Sequence, residues 1–349
     1  MKKWQKGLII TGAILVVLGT TYGICASLPR DQNYEHKNPL LKESETPLLI
    51  AHGGGNREFP DNTLEAFYNA YSCDENMMLE TDVSITKDNV ILLSHDISLD
   101  RKTNVTGLIQ DWNYSDLISQ KVDFGYENPV KEVDEAYFLD GERVKYLNGE
   151  GKSVSPTDVS YPDYVVNEEG IIDGRDTDVF LATTLEDLLI HFPKNRINVE
   201  IKQSGETGLK AFKEVLNLLE KYDAFDRVVL AGFHDEIYDE FVRYEASEEA
   251  NDKFMFSPSV SPVIKFYILH ATRLDAFFKD KISVFQLPME QSGINLATKS
   301  LVNTAHKHNI AVHYWTINDV EDMEYLIDIG ADGIMTDYPH RLKSVYESY

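Results

Sequence analysis

Glu80 and Asp82 stand two residues apart in the run MMLETDV, and Glu200 and Lys202 stand two apart in INVEIK. Residues two apart on a β-strand share a face, so each run points its charged pair in one direction. Two carboxylates on one face of an apolar strand repel and desolvate each other unless a cation lies between them. Glu80, Asp82 and Glu200, brought together from neighbouring strands, make an all-oxygen site for one hard divalent cation, Ca2+ or Mg2+, with water and substrate oxygens completing the shell. Lys202 is expected to face a substrate anion beside that metal, the plainer alternative being a structural pair with Glu200.

Two histidines complete the set. His52 ends the strand-like run LLIAH, and His95 ends a second strand in VSITKDNVILLSHD. Beside a metal-bound ester, one histidine takes a proton from the nucleophile and the other gives one to the leaving oxygen. Gly53-Gly54-Gly55, directly after His52, lacks the Lys-Ser/Thr ending and helix entry of a nucleotide loop, and reads instead as clearance for a substrate beside His52. Arg57, four residues on, has the charge and reach to contact a substrate anion. His313 shares a strand face with Trp315 but reads as a packed core histidine. Asp337, near the last strand end, reads as a residue that bonds the loop backbone.

Positioning these groups requires a parallel sheet. Eight β-rich runs (LLIAH, MMLETDV, INVEIK, RVVLAGF, KFMFS, ISVFQL, IAVHYWTI and GIMTD) alternate with helix-like stretches such as NTLEAFYNAY and GLKAFKEVLNLLEKY. This is the pattern of an α/β chain forming a (β/α)8 TIM-like barrel, with an open doubly wound sheet as the rival. VSITKDNVILLSHD predicts a hairpin leaving the second barrel strand and returning His95 towards that strand's carboxylates. The acidic, Tyr-, Gly- and Pro-rich stretch from about 124 to 178 is too long for a loop and reads as an inserted subdomain capping the site.

The first residues suggest export. Lys2, Lys3 and Lys6 precede an uncharged run from Gly7 to Leu28, which predicts a transmembrane anchor over residues 1–28 with the lysines on the cytoplasmic side. A cleaved signal peptide, or a lipid-modified Cys25, are the competing readings, and all three place the catalytic domain outside. The expectation is a single-pass protein at the cell membrane, with a polar tether over 29–47 and the barrel over 48–345. A net charge of −25 argues against nucleic acid as a partner. Cys25 and Cys73 alone offer no disulfide framework.

The ordered motifs AHGG, PDNTLEAF, LETDVSITKDNVILLSHDISLDRKTNVTG, NVEIK, YWTIND and DGIMTDYP resemble the signature of the glycerophosphodiester phosphodiesterases, covering nearly all of Leu48 to Pro339 except the acidic insertion. The resemblance implies a barrel, a metal on Glu80, Asp82 and Glu200, and acid/base histidines at His52 and His95. It also implies phosphate contact by Lys202, a site-wall aromatic at Trp315, and a small-molecule or lipid-derived phosphodiester substrate. Three positions depart from the pattern: Gly53 replaces an arginine, Asp61 a glutamate, and Lys102 a threonine. The related alternatives are a phospholipase of C or D type on a similar barrel, and a surface binding module weakened in catalysis.

Overall fold

The structure is a computed structural model that describes residues 3–30, 38–126, 138–139, 142–143, 145–149, 151–159 and 178–349. Each expected β-rich run contains a strand: β1 (Leu48–Ala51), β2 (Met78–Ile85), β4 (Ile197–Ile201), β5 (Val228–Ala231), β6 (Met255–Phe256), β7 (Val284–Leu287), β8 (Ala311–Tyr314) and β9 (Gly333–Thr336). They pair in parallel in the order β6-β5-β4-β2-β1-β9-β8-β7. Between the outer strands β6 and β7 the seam is bridged by Ser283 N–H donating to Phe256 O at 3.0 Å, so the sheet is a nearly closed (β/α)8 barrel.

Strands buried on both faces explain the near-continuous apolar runs. Ile50, Met78, Val229, Met255, Val284, Ala311 and Met335 fill the barrel interior, while a larger cluster lies between the strands and the surrounding helices. Those helices include α2 (Leu64–Cys73), α3 (Leu185–His191), α4 (Gly205–Lys221), α5 (Asp235–Glu245), α6 (Val260–Ala271), α7 (Lys299–Lys307), α8 (Val320–Ile329) and α9 (Pro339–Glu347). Local chemistry sets several starts. Thr63 accepts from Ala66 N–H at the head of α2, and Thr184 and Asp187 form a capping box on α3.

The hairpin is present as β2 and β3 (Ile91–Leu93), antiparallel, with Val83 opposite Leu93 and Ile85 opposite Ile91. Of the expected insertion, 127–137, 140–141, 144, 150 and 160–177 lie outside the described residues. Its stretch 145–149 lies against the loop after β1: the Tyr146 hydroxyl donates to Asn56 O, and Gly149 N–H to Arg57 O.

The N-terminal expectation is corrected. Lys3–Ala26 forms one helix, α1, but among the described residues no helix is long and apolar enough to cross a membrane. The membrane anchor, and with it single-pass placement of the catalytic domain at the cell membrane, is therefore withdrawn. The Tyr22 hydroxyl, near the end of α1, instead donates to Thr272 O at 2.8 Å, and Arg30 makes two bonds to Asp275, at 2.8 and 3.2 Å. In the expected tether, residues 31–37 lie outside the described residues, whereas Leu40 is wholly buried beneath the barrel with its carbonyl 3.1 Å from His313 Nε2. His313 is buried there, as a core histidine.

Candidate active site

The candidate side chains gather at the carboxyl ends of the strands, where barrel sites form. In β2 and β4, Asp82 stands opposite Glu200 and Glu80 opposite Asn198. Parallel pairing thus carries the two-residue spacing of each strand into one cluster. Single oxygens from Glu80, Asp82 and Glu200 all lie within 4.8 Å of one another. Burial and the Asp82 charge hold the Glu80 carboxyl well above its ordinary range, and the same causes raise Glu200. The site floor is polar as well, with Gln286 Nε2 donating to Asn198 Oδ1 at 2.7 Å across the barrel.

Lys202 reaches into this cluster. Its ammonium lies 2.9 Å from Glu200 Oε1 and 3.5 Å from Asp82 Oδ1. Burial disfavours its charge, but Asp82 and Glu200 outweigh burial and hold its pKa above the ordinary lysine value. Lys202 thus pairs with Glu200 at the edge of the acidic centre.

His52, just past β1, sets its Nδ1 2.7 Å from Asp337 Oδ1. Asp337, just past the adjacent β9, accepts a second bond from Asn318 Nδ2 at 2.8 Å. Burial pulls the His52 imidazole down, yet the bond to Asp337 and the charges of Glu80, Asp337 and Asp82 raise it to about 10. His95 lies just past β3, after Ser94, whose N–H donates to Asp82 O at 2.9 Å. Its Nδ1 lies 2.9 Å from Asp96 Oδ1, and Arg101 clamps Asp96 through two bonds of 2.7 Å. The bond to Asp96 raises the His95 pKa, while burial opposes it.

The three glycines differ from expectation in what their clearance serves. All have positive φ, from 55° to 97°. A Cβ at Gly53 would fall 2.8 Å from Asp61 Cβ, one at Gly54 2.8 Å from Ala66 Cβ, and one at Gly55 2.8 Å from Pro339. The space is thus filled by the protein's own turn and helices α2 and α9. Gly53 N–H is also used, donating to Glu80 Oε2 at 2.8 Å.

Arg57 has its backbone N–H on Asp337 O at 3.2 Å, and its charge acts on the Asp337 carboxylate. Trp315, after β8, is half-buried and meets the exposed Phe233 edge-on with ring centroids 5.8 Å apart. Sequence reasoning missed the partners of the reactive groups: Asp96, Asn318, Asn62 and the side-chain role of Asp337. Asn62 and Asp96 lay inside quoted motifs, and their hydrogen-bonding types next to charged residues were the available signal.

An acidic cluster with a lysine and two histidines suits cleavage of an anionic ester, and the family match on this barrel makes the chain a phosphoric diester hydrolase. Residues 52–341 match the glycerophosphoryl diester phosphodiesterase family, and the chain belongs to that family. Among curated relatives, it is 24% identical over 323 residues to Lysophospholipase D GDPD1 of Mus musculus, covering 86% of each chain. It is 26% identical over 296 residues to a glycerophosphodiester phosphodiesterase of Caldanaerobacter subterraneus, covering 84% of this chain and 96% of the other. The fold is shared with a solved phosphodiesterase of Oleispira antarctica in complex with the product sn-glycerol-3-phosphate, with TM-score 0.58, 18% identity, and coverage of 86% and 97%. A putative glycerophosphoryl diester phosphodiesterase from Silicibacter pomeroyi superposes with TM-score 0.60 at 18% identity, covering 88% of this chain and 96% of that one.

Proposed function

We propose that this chain hydrolyses a glycerophosphodiester-like substrate to an alcohol and a glycerol phosphate, with one divalent cation, Ca2+ or Mg2+, held by Glu80, Asp82 and Glu200. The observation that carries this reading is the oxygen cluster itself. Three carboxylates with ligand oxygens inside 4.8 Å suit a hard cation by donor type, and burial together with the Asp82 charge raises the pKa values of Glu80 and Glu200. A bound divalent cation would neutralise charge on the non-bridging phosphate oxygens as the transition state forms.

The chain's own residues supply the rest. Lys202 places a fixed positive charge at the rim of the acidic centre, where the phosphate must approach. One histidine of the His52 and His95 pair removes the proton from the attacking hydroxyl as the new P–O bond forms. The other delivers a proton to the departing alkoxide as the old P–O bond breaks. Gly53 steadies Glu80 through its N–H, and Trp315 with Phe233 offers an aromatic wall to the alcohol or acyl portion. Arg57 is proposed to bind phosphate in place of an arginine at position 53; unchanged kcat/KM on a glycerophosphodiester in Arg57→Ala would end that assignment.

A second reading, a lysophospholipid-cleaving enzyme of D type, is favoured by the Phe233–Trp315 wall and by the relatives named for that activity. Product analysis on a panel of diesters separates the two. Glycerol phosphate released from a glycerophosphodiester supports the first, and an acylated glycerol phosphate plus free alcohol from a lysophospholipid supports the second. A cyclic phosphate would show that a neighbouring substrate hydroxyl is the nucleophile. Turnover is expected to vanish in chelator and return with added metal. Full activity without metal would sink the cation assignment, and silence across the panel would leave a binding module.

A further inference from the structure

The three positions at which the chain departs from the family pattern, Gly53, Asp61 and Lys102, meet at one place beside the acidic centre. Lys102 and Asp61 form an ion pair at 4% and 6% exposure. A buried ion pair adds little net stability over apolar side chains of the same shape, so this one calls for another role. Asp61 is drawn in because Gly53 has no Cβ where Asp61 Cβ packs. The next residue, Asn62, is fixed in a left-handed conformation (φ 60°) with its N–H on Gly53 O at 2.8 Å.

The Asn62 amide is fully engaged. Its Nδ2 donates to Asp61 Oδ2 at 3.1 Å and to Asp82 Oδ2 at 3.2 Å. Its Oδ1 accepts from the Thr81 hydroxyl at 2.7 Å and from Asp82 N–H at 3.2 Å. An amide has two donor hydrogens and two acceptor lone pairs, and here each faces its complement, which fixes both the flip and the rotamer. Burial would push the Asp61 carboxyl up, but the Lys102 and Arg101 charges hold it at about 2, so it remains an acceptor for Asn62. The chain of contacts runs from Lys102 through Asp61 and Asn62 to one oxygen of Asp82, whose other oxygen lies on the Lys202 side.

We propose that Asp61, held in place by Lys102, is a positioning residue for Asp82: its oxygen anchors the Asn62 amide, and the amide orients Asp82 for the divalent cation. The inference rests on the cation-binding reading of Glu80, Asp82 and Glu200. Lys102 itself touches neither substrate nor metal in this account. The partners of ligating groups commonly govern metal affinity by about 10- to 100-fold.

Two double variants test it, both neutral at the pair and differing in whether Asn62 keeps its acceptor. Lys102→Met/Asp61→Asn retains an oxygen for Asn62; Lys102→Met/Asp61→Leu does not. Chelator-treated proteins are titrated with Ca2+ and with Mg2+ by calorimetry, and thermal unfolding confirms that each variant is folded. The asparagine variant is expected to bind like the wild type. The leucine variant is expected to bind about 10- to 100-fold more weakly, with KM at saturating metal unchanged. Equal affinity in the two, or weakening in both, overturns the positioning role. If the leucine variant does not fold, Lys102→Met/Asp61→Ala, which also withholds the acceptor, makes the same comparison, and wild-type or tighter metal binding by it overturns the proposal. A wild-type protein that binds neither cation removes the cation reading itself, and this inference with it.

Discussion

His52 and His95 each give Nδ1 to an aspartate, yet the two pairs are built by different parts of the fold. His52 meets Asp337 across 285 residues because β1 lies beside β9 in the barrel, and the Asp337 side chain is only 8% exposed. His95 meets its chain neighbour Asp96, with side-chain exposures of 45% and 24%, and an arginine five residues on completes the clamp. The first pair is a product of barrel closure and is sheltered; the second is local and open to water. A sheltered imidazole held protonated suits proton donation to a leaving oxygen. An accessible one can shed its proton to solvent after each turnover, as a general base must. On the proposed mechanism, His52 is therefore the acid and His95 the base.

The sharpest way to break this contrast is to remove each imidazole. His52→Ala and His95→Ala should each lower kcat by about 10² to 10⁴ on an alkyl diester. A substrate with a nitrophenolate leaving group needs no proton donor, so it should restore much of the rate to His52→Ala and little to His95→Ala. Equal recovery in both variants, or recovery in His95→Ala alone, would reverse or erase the assignment.

A smaller effect is expected from the partners. Asp337→Asn should cost on the order of 10² in kcat, as loss of a proton-transfer geometry does, and Asp96→Asn less, since Asp96 is more exposed. Steady-state kinetics showing the larger loss at Asp96 would put the rigid pair on the other histidine.

The smallest signal is in stability. Folding raises His52 from an ordinary 6.5 to about 10, so folding favours its protonated form. That contribution is full below about pH 6.5 and fades as pH rises through about 10. Melting temperatures measured in chelator should therefore show the gap between wild type and Asp337→Asn narrowing across that window. A gap independent of pH would mean that the pair is not a protonated one.

The same contrast explains what the sequence could disclose. The eight strands were legible because buried parallel strands are apolar runs, and Glu80, Asp82, Glu200 and Lys202 because a charge every second residue is conspicuous in such a run. The local partner Asp96 lay in view beside His95. Asp337 did not, since only the adjacency of the first and last strands gives its side chain to His52. The glycines after His52 pointed to clearance, but whether ligand or protein fills it depends on how α2 and α9 pack. The contacts of the first helix were not legible either, since Tyr22 and Arg30 meet Thr272 and Asp275, some 250 residues away.

Beneath the barrel, Asn38 Nδ2 donates to Ser283 O at 2.6 Å and to Asn309 O at 2.9 Å, and Leu40 is wholly buried beside the inner cluster. These bonds join residues 245 and 271 positions apart in the chain. Contacts of that span carry a large loop-closure cost and form only when the distant strands are in place. In a chain made from its N-terminus, a segment synthesised among the first is thus among the last to find its seat, and the bottom of the barrel is sealed only after β7 and β8 have been made.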